Sequence, residues 1–433
     1  MKTNITKRII SVFLALVLVL GTTFSLSSCR LIIGSLLDGS QSDGDTNEGG
    51  EGGGENEGEG EGEGGSESTP EFLPKDEELN PEVLHSAQSA LLSVVRVVST
   101  FEVYTGYGTS TSTQIAEGAG VIYRLDREAG DAYIITNYHV VYNRSAANSS
   151  KLSQDISLYL YGQESEAYKI DAVCLGGALS YDIAVLRVKN SEVLKNSYAQ
   201  AASLGDSDTV TPLDSVIAIG NPERLGISVT EGIISVDSED LTMIGSDEHT
   251  AVTLRVMRVS AAINEGNSGG GLFDSHGKLI GIVVAKRSGA DIDNIGYAIP
   301  ISSAKNTADA IIHYCDGETN TNLYRCIIGF TPGADVTGLV IDTESGKIIK
   351  AERVIVKSVN QDSLLSGVIG VGDVINSVTV DGVKKDVSRV YHVLDHMMTA
   401  RVGSAVTLNI TRDGITFDTS PITLPESSKT AVK

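Results

Sequence analysis

Hydrophobic positions fall into three regimes along the chain. An apolar run, Ile9–Leu20, comes first. A stretch with no core-forming residues follows, centred on "NEGGEGGGENEGEGEGEGG". From about Leu84 onward, short Val/Ile/Thr-rich runs such as "AYIIT" and "IAVLRV" recur between Gly, Asp and Asn turns. Runs of that kind predict strands. Only two segments read differently. "ISSAKNTADAIIHYCDGETNTN" predicts a helix followed by a linker, and "DVSRVYHVLDHMM" sets Val390, Val393, Leu394 and Met397 at i, i+3, i+4 and i+7. That spacing is one helix face, and it suits either core packing or a wall of a peptide groove. The fold class is mostly β, and 433 residues leave room for two or three domains.

The first regime is an address. Lys2, Lys7 and Arg8 precede the apolar run, as in a secretory signal. The run is shorter than the ~20 residues a spanning helix needs. It ends in Leu26-Ser27-Ser28-Cys29, which resembles the bacterial lipobox and implies a lipid on Cys29. The apolar "LIIGSLL" after Cys29 keeps an uncleaved signal anchor open. Both readings place the body outside the cytoplasm, at the membrane. The Gly/Glu-rich stretch cannot offset its ordering entropy and reads as a disordered spacer.

Charge and cysteine content remove several function classes. The formal net charge is −23, and most of it sits in the spacer. No basic patch points to nucleic acid. Four cysteines are present and none forms a CxxC pair, so zinc is not implied. Cys315 and Cys326 are near enough in sequence to bridge. His392 and His396 are four apart on the second helix, but no third ligand accompanies them. No metal and no cofactor is expected.

The chemistry gathers at three places. "INEGNSGGGLFD" sets Ser268 among glycines, and glycine-rich turns alone are ordinary. His139 follows the strand-like "AYIIT", where a side chain can reach a cleft. Asp182 heads "IAVLRV", and an acid beside an apolar strand is costly unless it is hydrogen-bonded. An imidazole N–H would satisfy it. Residues 266–270 also match G-x-S-x-G, whose fold needs a helix after the serine and the order Ser, Asp, His. Here the order is His, Asp, Ser, and "LFDSHGKLIGIVVAK" predicts strand, turn, strand.

With these residues in place, the chain resembles the HtrA (Deg) family of chymotrypsin-fold serine proteases with a C-terminal PDZ domain. Seven segments carry the resemblance, in the family's order: "EGAGVIY", "ITNYHVV", "YDIAVLRV", "SLGDSDTVTPLDSVIAIGNPERLGISVTEGIIS", "SAAINEGNSGGGLFD", "GKLIGIVVA" and "IGYAIPIS". It implies a double β-barrel followed by a PDZ domain, a small α+β sandwich or barrel. The implied limits are signal 1–29, tether 30–80, protease 84–314 and PDZ 323–428. His139 and Asp182 would come from the first barrel and Ser268 from the second. They would be base, orienting acid and nucleophile, with the N–H groups of Gly266 and Ser268 as oxyanion donors. Asn267 stands where zymogen relatives carry an Asp, so activation by N-terminal trimming is not implied.

The resemblance extends to specificity. Ala262 and Ile263 would form the pocket base, with no carboxylate, and Val283, Val284 and Ala285 the strand that pairs with substrate. Small or medium aliphatic residues before the scissile bond are implied. "CIIGFTP" resembles the carboxylate-binding loop of PDZ domains, through Ile328, Gly329 and Phe330. The sequence departs from the family at Glu265 and Gly271, where Pro is usual, and at Ser260, where Asp is usual. Implied partners are unfolded polypeptides, C-terminal peptides, the membrane and two further copies of the chain. A trimer would form through aromatics near the first strand such as Phe101 and Tyr104. The other function class is a binding or chaperone module derived from a protease, without turnover.

Overall fold

A computed structural model describes residues 86–432 except 106–109, 223–225, 285–294, 316–321 and 344. The signal, Cys29, the spacer and Ala285 lie outside the described residues. All described residues fall in one compact unit, Phe72–Lys433.

Strands dominate because the Val/Ile-rich runs bury alternate side chains. In β1 (Val94–Tyr104), Val95, Val97, Ser99, Phe101 and Val103 all point inward. The strand joins β2 (Thr111–Asp126), β3 (Asp131–Thr136), β4 (Asp155–Leu160), β5 (Ile170–Ala178) and β6 (Ile183–Val188) in a closed barrel of order β1-β2-β3-β6-β5-β4. A one-turn helix α1 (Tyr138–Val141) follows β3. A second closed barrel, β10-β11-β12-β9-β8-β7, comprises β7 (Ser215–Gly220), β8 (Ser228–Ile244), β9 (Ala251–Val259), β10 (Gly271–Asp274), β11 (Leu279–Val284) and β12 (Gly296–Pro300). Helix α2 (Ile301–Tyr314) closes this half, burying Ile301, Ala304, Ala308 and Ile311. Full closure leaves neither barrel a free edge.

The third part begins with β13 (Leu323–Cys326). Its main sheet contains β14 (Phe330–Ile341), β15 (Ile348–Val359), β16 (Val374–Val380), β17 (Val383–Asp386), β18 (Ala405–Arg412), β19 (Ile415–Asp418) and β20 (Ile422–Thr423), with β14 at one edge. Helix α3 (Val390–Met397) packs against this sheet. The last strand, β21 (Lys429–Val432), runs past residue 428 and pairs with β13. Cys174, Cys315 and Cys326 are free thiols, so Cys315 and Cys326 are not bridged.

Phe101 departs from the sequence expectation. It is buried with Val103 and Ala146 inside its own barrel and cannot serve an interface, whereas Tyr104 is 54% exposed. The two histidines of α3 also part company. The His392 Nδ1 accepts the Ser388 N–H at 3.2 Å, and His396 Nε2 lies 2.9 Å from the Val383 carbonyl oxygen.

A band of charge joins the C-terminal sheet to the second barrel. Asp208 meets Lys385 at 2.6 Å, Arg255 at 3.5 Å and His392 at 3.9 Å. Arg255 also pairs with Asp395 and lies 3.3 Å over the Tyr391 ring. Arg389 reaches Asp237 at 2.8 Å and Glu352 at 3.4 Å. Removing one partner of a buried pair typically costs ~3–5 kcal/mol, so this band resists single substitutions poorly.

Burial pushes the His392 imidazole down to about 4, with Lys385, Arg255 and Arg389 adding to the effect against Asp208. In an unfolded chain it titrates near ~6.5. The native state therefore binds fewer protons between those values. Its contribution is complete above the unfolded value and is lost as pH falls toward about 4. Burial raises the Asp395 carboxyl, which works in the opposite sense. Burial would also raise Asp208, but Lys385, His392 and Arg255 outweigh it and hold it low. Asp395 and Asp208 are retained in His392→Gln, and Lys385 and Arg255 still hold Asp208 low, so the imidazole is the main difference between the two. The melting midpoint should fall less in His392→Gln than in wild type between about pH 6.5 and 4.5. Equal falls in thermal scans would show that His392 does not titrate on unfolding.

Candidate active site

The site lies where the two barrels meet. Asp182 sits between β5 and β6 with a left-handed backbone, φ +48°. Asp tolerates this region better than most residues because its short side chain bonds locally. Its carbonyl oxygen accepts from Asn137 Nδ2 at 2.9 Å and from the Tyr138 N–H at 3.2 Å, fixing the start of α1. Its carboxylate is buried and faces His139 on that helix. Oδ2 lies 2.8 Å from His139 Nδ1, Oδ1 lies 3.1 Å from the same nitrogen, and Oδ1 also accepts the His139 main-chain N–H at 3.1 Å. Two contacts to the ring and one to the main chain thus hold His139, and with Nδ1–H donating to the carboxylate, Nε2 is left with the lone pair.

Ser268 arrives from the second barrel. Its carbonyl oxygen accepts the Ala119 N–H of β2 at 2.8 Å, and Thr136 Oγ1 donates to the Ala119 carbonyl at 2.7 Å. The serine turn is therefore laced to strands of the first barrel, one of which ends three residues before His139. Glycine is required at this seam. A Cβ on Gly269 would lie 2.2 Å from the Ala119 oxygen and 2.3 Å from Thr136 Oγ1, and one on Gly118 would lie 2.9 Å from the Ser268 oxygen. Gly266 has φ +95°, and its carbonyl accepts the Asn221 N–H at 3.3 Å. Asn267 is buried against Gly220, where an added Cβ would meet its Oδ1 at 2.6 Å.

After Ser268 the chain runs into β10, a turn and β11, with no helix. The elbow reading is thereby excluded. Gly271 opens β10, and the Phe273 ring occupies the space its side chain would fill, 2.3 Å from an ideal Cβ. Glu265 is exposed. Ser260 Oγ accepts the Ile233 N–H at 3.0 Å.

Two specificity expectations change. The Val283 N–H donates to the Gly270 carbonyl at 2.8 Å, and its own carbonyl accepts the Gly269 N–H at 3.0 Å. Both main-chain groups of Val283 are engaged in the serine turn, so it cannot pair with substrate. Ala262 is exposed, with its carbonyl accepting from Thr230 Oγ1 at 2.9 Å, so it closes no pocket floor. Ile263 is half-buried, and its Cδ1 lies 2.5 Å from an ideal Cβ on Gly296.

The C-terminal sheet holds the other candidate site. Ile328 is buried, and its carbonyl accepts from Ser363 Oγ at 2.7 Å and the Leu364 N–H at 3.1 Å. Gly329 has φ +84° and turns against Ser363, 2.8 Å from its Cα by an ideal Cβ. Phe330 then opens β14. Val393 of α3 is buried, Val390 and Met397 are half-buried, and Leu394 is 51% exposed. Leu394 lines a cavity of about 770 Å³ with Ala334, Tyr181, Arg255 and Arg325. Tyr181 was not singled out from the sequence. It precedes Asp182, accepts from Arg325 at 2.9 Å and donates to Met398 Sδ at 3.6 Å. Its partners are more than a hundred residues away, so no local pattern marks it.

Residues 118–282 match the trypsin-like peptidase domain family. The chain is 36% identical over 206 residues to the serine protease Do-like HtrA of Bacillus subtilis, covering 47% of this chain and 41% of that one. It is 30% identical over 333 residues to the periplasmic serine endoprotease DegP of Salmonella typhimurium, covering 76% of this chain and 60% of that one. The chain thus spans roughly half the length of these relatives. Among solved structures it is similar to the HtrA-type protease AlgW with decapeptide, at 25% identity and TM-score 0.47, covering 78% of this chain and 96% of that one. Residues 118–282 thus carry a trypsin-like peptidase domain, and the chain is homologous to the HtrA and DegP serine proteases over the stretches they share.

Proposed function

We propose that the protein is a serine endopeptidase that acts outside the cytoplasm on unfolded polypeptides. The observation that carries this reading is the double contact of Asp182 with His139 Nδ1, which leaves Nε2 as a base. Ser268 Oγ attacks the scissile carbonyl carbon as His139 takes its proton. The imidazolium is stabilised by Asp182 and returns the proton to the leaving amine. Water then repeats the sequence on the acyl-enzyme. The N–H groups of Gly266 and Ser268 bind the oxyanion, each supplying ~2.7–4 kcal/mol of barrier lowering. An aliphatic pocket beside Ile263 selects small or medium side chains loosely, since one methylene is worth ~1–3 kcal/mol.

The C-terminal sheet is proposed as a PDZ-like domain that takes C-terminal peptides on the free edge of β14, with the carboxylate at Ile328–Phe330 and α3 as the opposite wall. The charged n-region and apolar run support export, and the "LSSC" end supports a lipid tether at Cys29. No helix of the described residues is long and apolar enough to cross a membrane. Assembly into a trimer is part of the proposal, with Tyr104 as the available aromatic.

The test is active-site labelling of the full-length protein with a fluorophosphonate, alongside casein cleavage. One label per chain is expected on the peptide containing Ser268, with loss of casein cleavage in step. A folded wild-type protein that neither labels nor cleaves would identify a binding or chaperone module instead.

A further inference from the structure

Strand β14 is longer than the groove it borders. It runs twelve residues, Phe330–Ile341, about 40 Å at ordinary strand rise. Ala334 lines the cavity beside Val390 and Leu394 of α3, whereas none of the residues Val336–Ile341 lines it. The strand pairs with β15 on one side and forms the sheet edge on the other. In its far half Val336, Leu339, Val340 and Ile341 are 51%, 75%, 45% and 69% exposed. Successive side chains point to opposite faces, so both faces of this arm present apolar groups.

Natural edge strands are blunted by charge, proline or a bulge, because a free flat edge recruits another strand. Strand β14 has all three in its near half only. Pro332 has no N–H to offer, and within a strand proline belongs where the missing donor faces outward. Asp335 stands at a register break between Ala334 and Val336 and is held by Arg353 at 2.9 and 2.6 Å. Beyond it, "VTGLVI" contains no charge and no proline.

We propose that Val336–Ile341 is a second strand-acceptor subsite that binds residues upstream of a polypeptide's C-terminus. This rests on the reading of Ile328–Phe330 as a carboxylate-binding turn. A segment that leaves its carboxylate at Gly329 and adds antiparallel to β14 carries its earlier residues past Ala334 toward Ile341. The near half, short of one donor at Pro332, binds the last few residues weakly. The far half supplies an uninterrupted ladder and apolar contact on both faces. The ligand class is an extended, uncharged C-terminal segment of about ten to twelve residues, rich in β-branched side chains. Unfolded proteins expose such segments and folded ones rarely do.

The experiment titrates full-length protein with two labelled peptides that share their last residues. One has about four residues and the other about twelve, with alternating Val and Thr upstream. The long peptide should bind about tenfold tighter or more. Leu339→Lys should remove that gain and leave the short peptide unchanged. Val340→Lys, on the opposite face, should do the same, and short-peptide binding reports that each variant is folded. Amidating the carboxylate should weaken both peptides. Equal affinities on the wild type, or a gain that survives both substitutions, overturn the arm proposal and leave the carboxylate turn standing. Binding of neither peptide, or binding indifferent to amidation, overturns the carboxylate turn and its extension together. A change of sedimenting mass in Leu339→Lys would mean that a second copy covers the arm, which also overturns it.

Discussion

Asp182→Asn is expected to lower kcat for casein about 10⁴-fold and to leave the fold intact. The carboxylate now accepts at both oxygens, with Oδ1 shared between the His139 main-chain N–H and Nδ1, and Oδ2 on Nδ1. An amide can keep Oδ1 on the main chain. Its NH₂ then faces Nδ1 and demands a lone pair there. The imidazole must move its proton to Nε2, and it can no longer take one from Ser268. The substitution is clean because position 182 has φ +48°, a region Asn tolerates as well as Asp. Asp182→Ala would add backbone strain of ~1–2 kcal/mol and confuse the comparison. Turnover and the melting midpoint should be read together. Near wild-type kcat in a folded Asn variant would remove Asp182 from the mechanism.

Gly269→Ala should be the most damaging single methyl in the molecule's two barrels. At φ +84° any side chain is strained, and this one would lie 2.2 and 2.3 Å from atoms of Ala119 and Thr136. Neither obstacle is a flexible side-chain end: one is backbone and the other is hydrogen-bonded to that backbone. The methyl would wedge the Ser268 turn from β2 and β3. A loss of about 3 kcal/mol or more in chemical denaturation is expected, with fluorophosphonate labelling lost as well. Gly162→Ala is the control, since its φ of +74° is similar but nothing lies within 4 Å of the added Cβ. It should cost about 1–2 kcal/mol and keep labelling. Equal losses in the two variants would assign the damage to backbone strain and not to the seam between barrels.

The residues that the sequence exposed are those whose meaning is local. His139 after a strand, Asp182 before one and Ser268 in a glycine turn are each visible in about ten residues, and their order excluded the elbow scheme. The inward phase of β1 was legible too, since Phe101 keeps step with Val95, Val97 and Val103. That alternation places its ring in the core and not at an interface. Val283 is not legible in the same way. Its role is set by two main-chain hydrogen bonds to Gly269 and Gly270, and the side-chain pattern does not encode main-chain partners. The charged band ties Asp208 to Lys385 and Asp237 to Arg389, positions more than a hundred residues apart. Along the chain each looks like a surface charge.

The hydrogen bond from Ala119 to the Ser268 carbonyl has a consequence for the protein's own safety. The proposed base and acid belong to one barrel and the proposed nucleophile to the other. A chain whose second barrel is still open holds a complete His–Asp pair and no attacking group in register with it. On the proposed mechanism, half-folded copies would be silent toward one another, although each is the kind of polypeptide proposed as substrate. Docking of the two barrels would then itself be the activation step of the newly made chain.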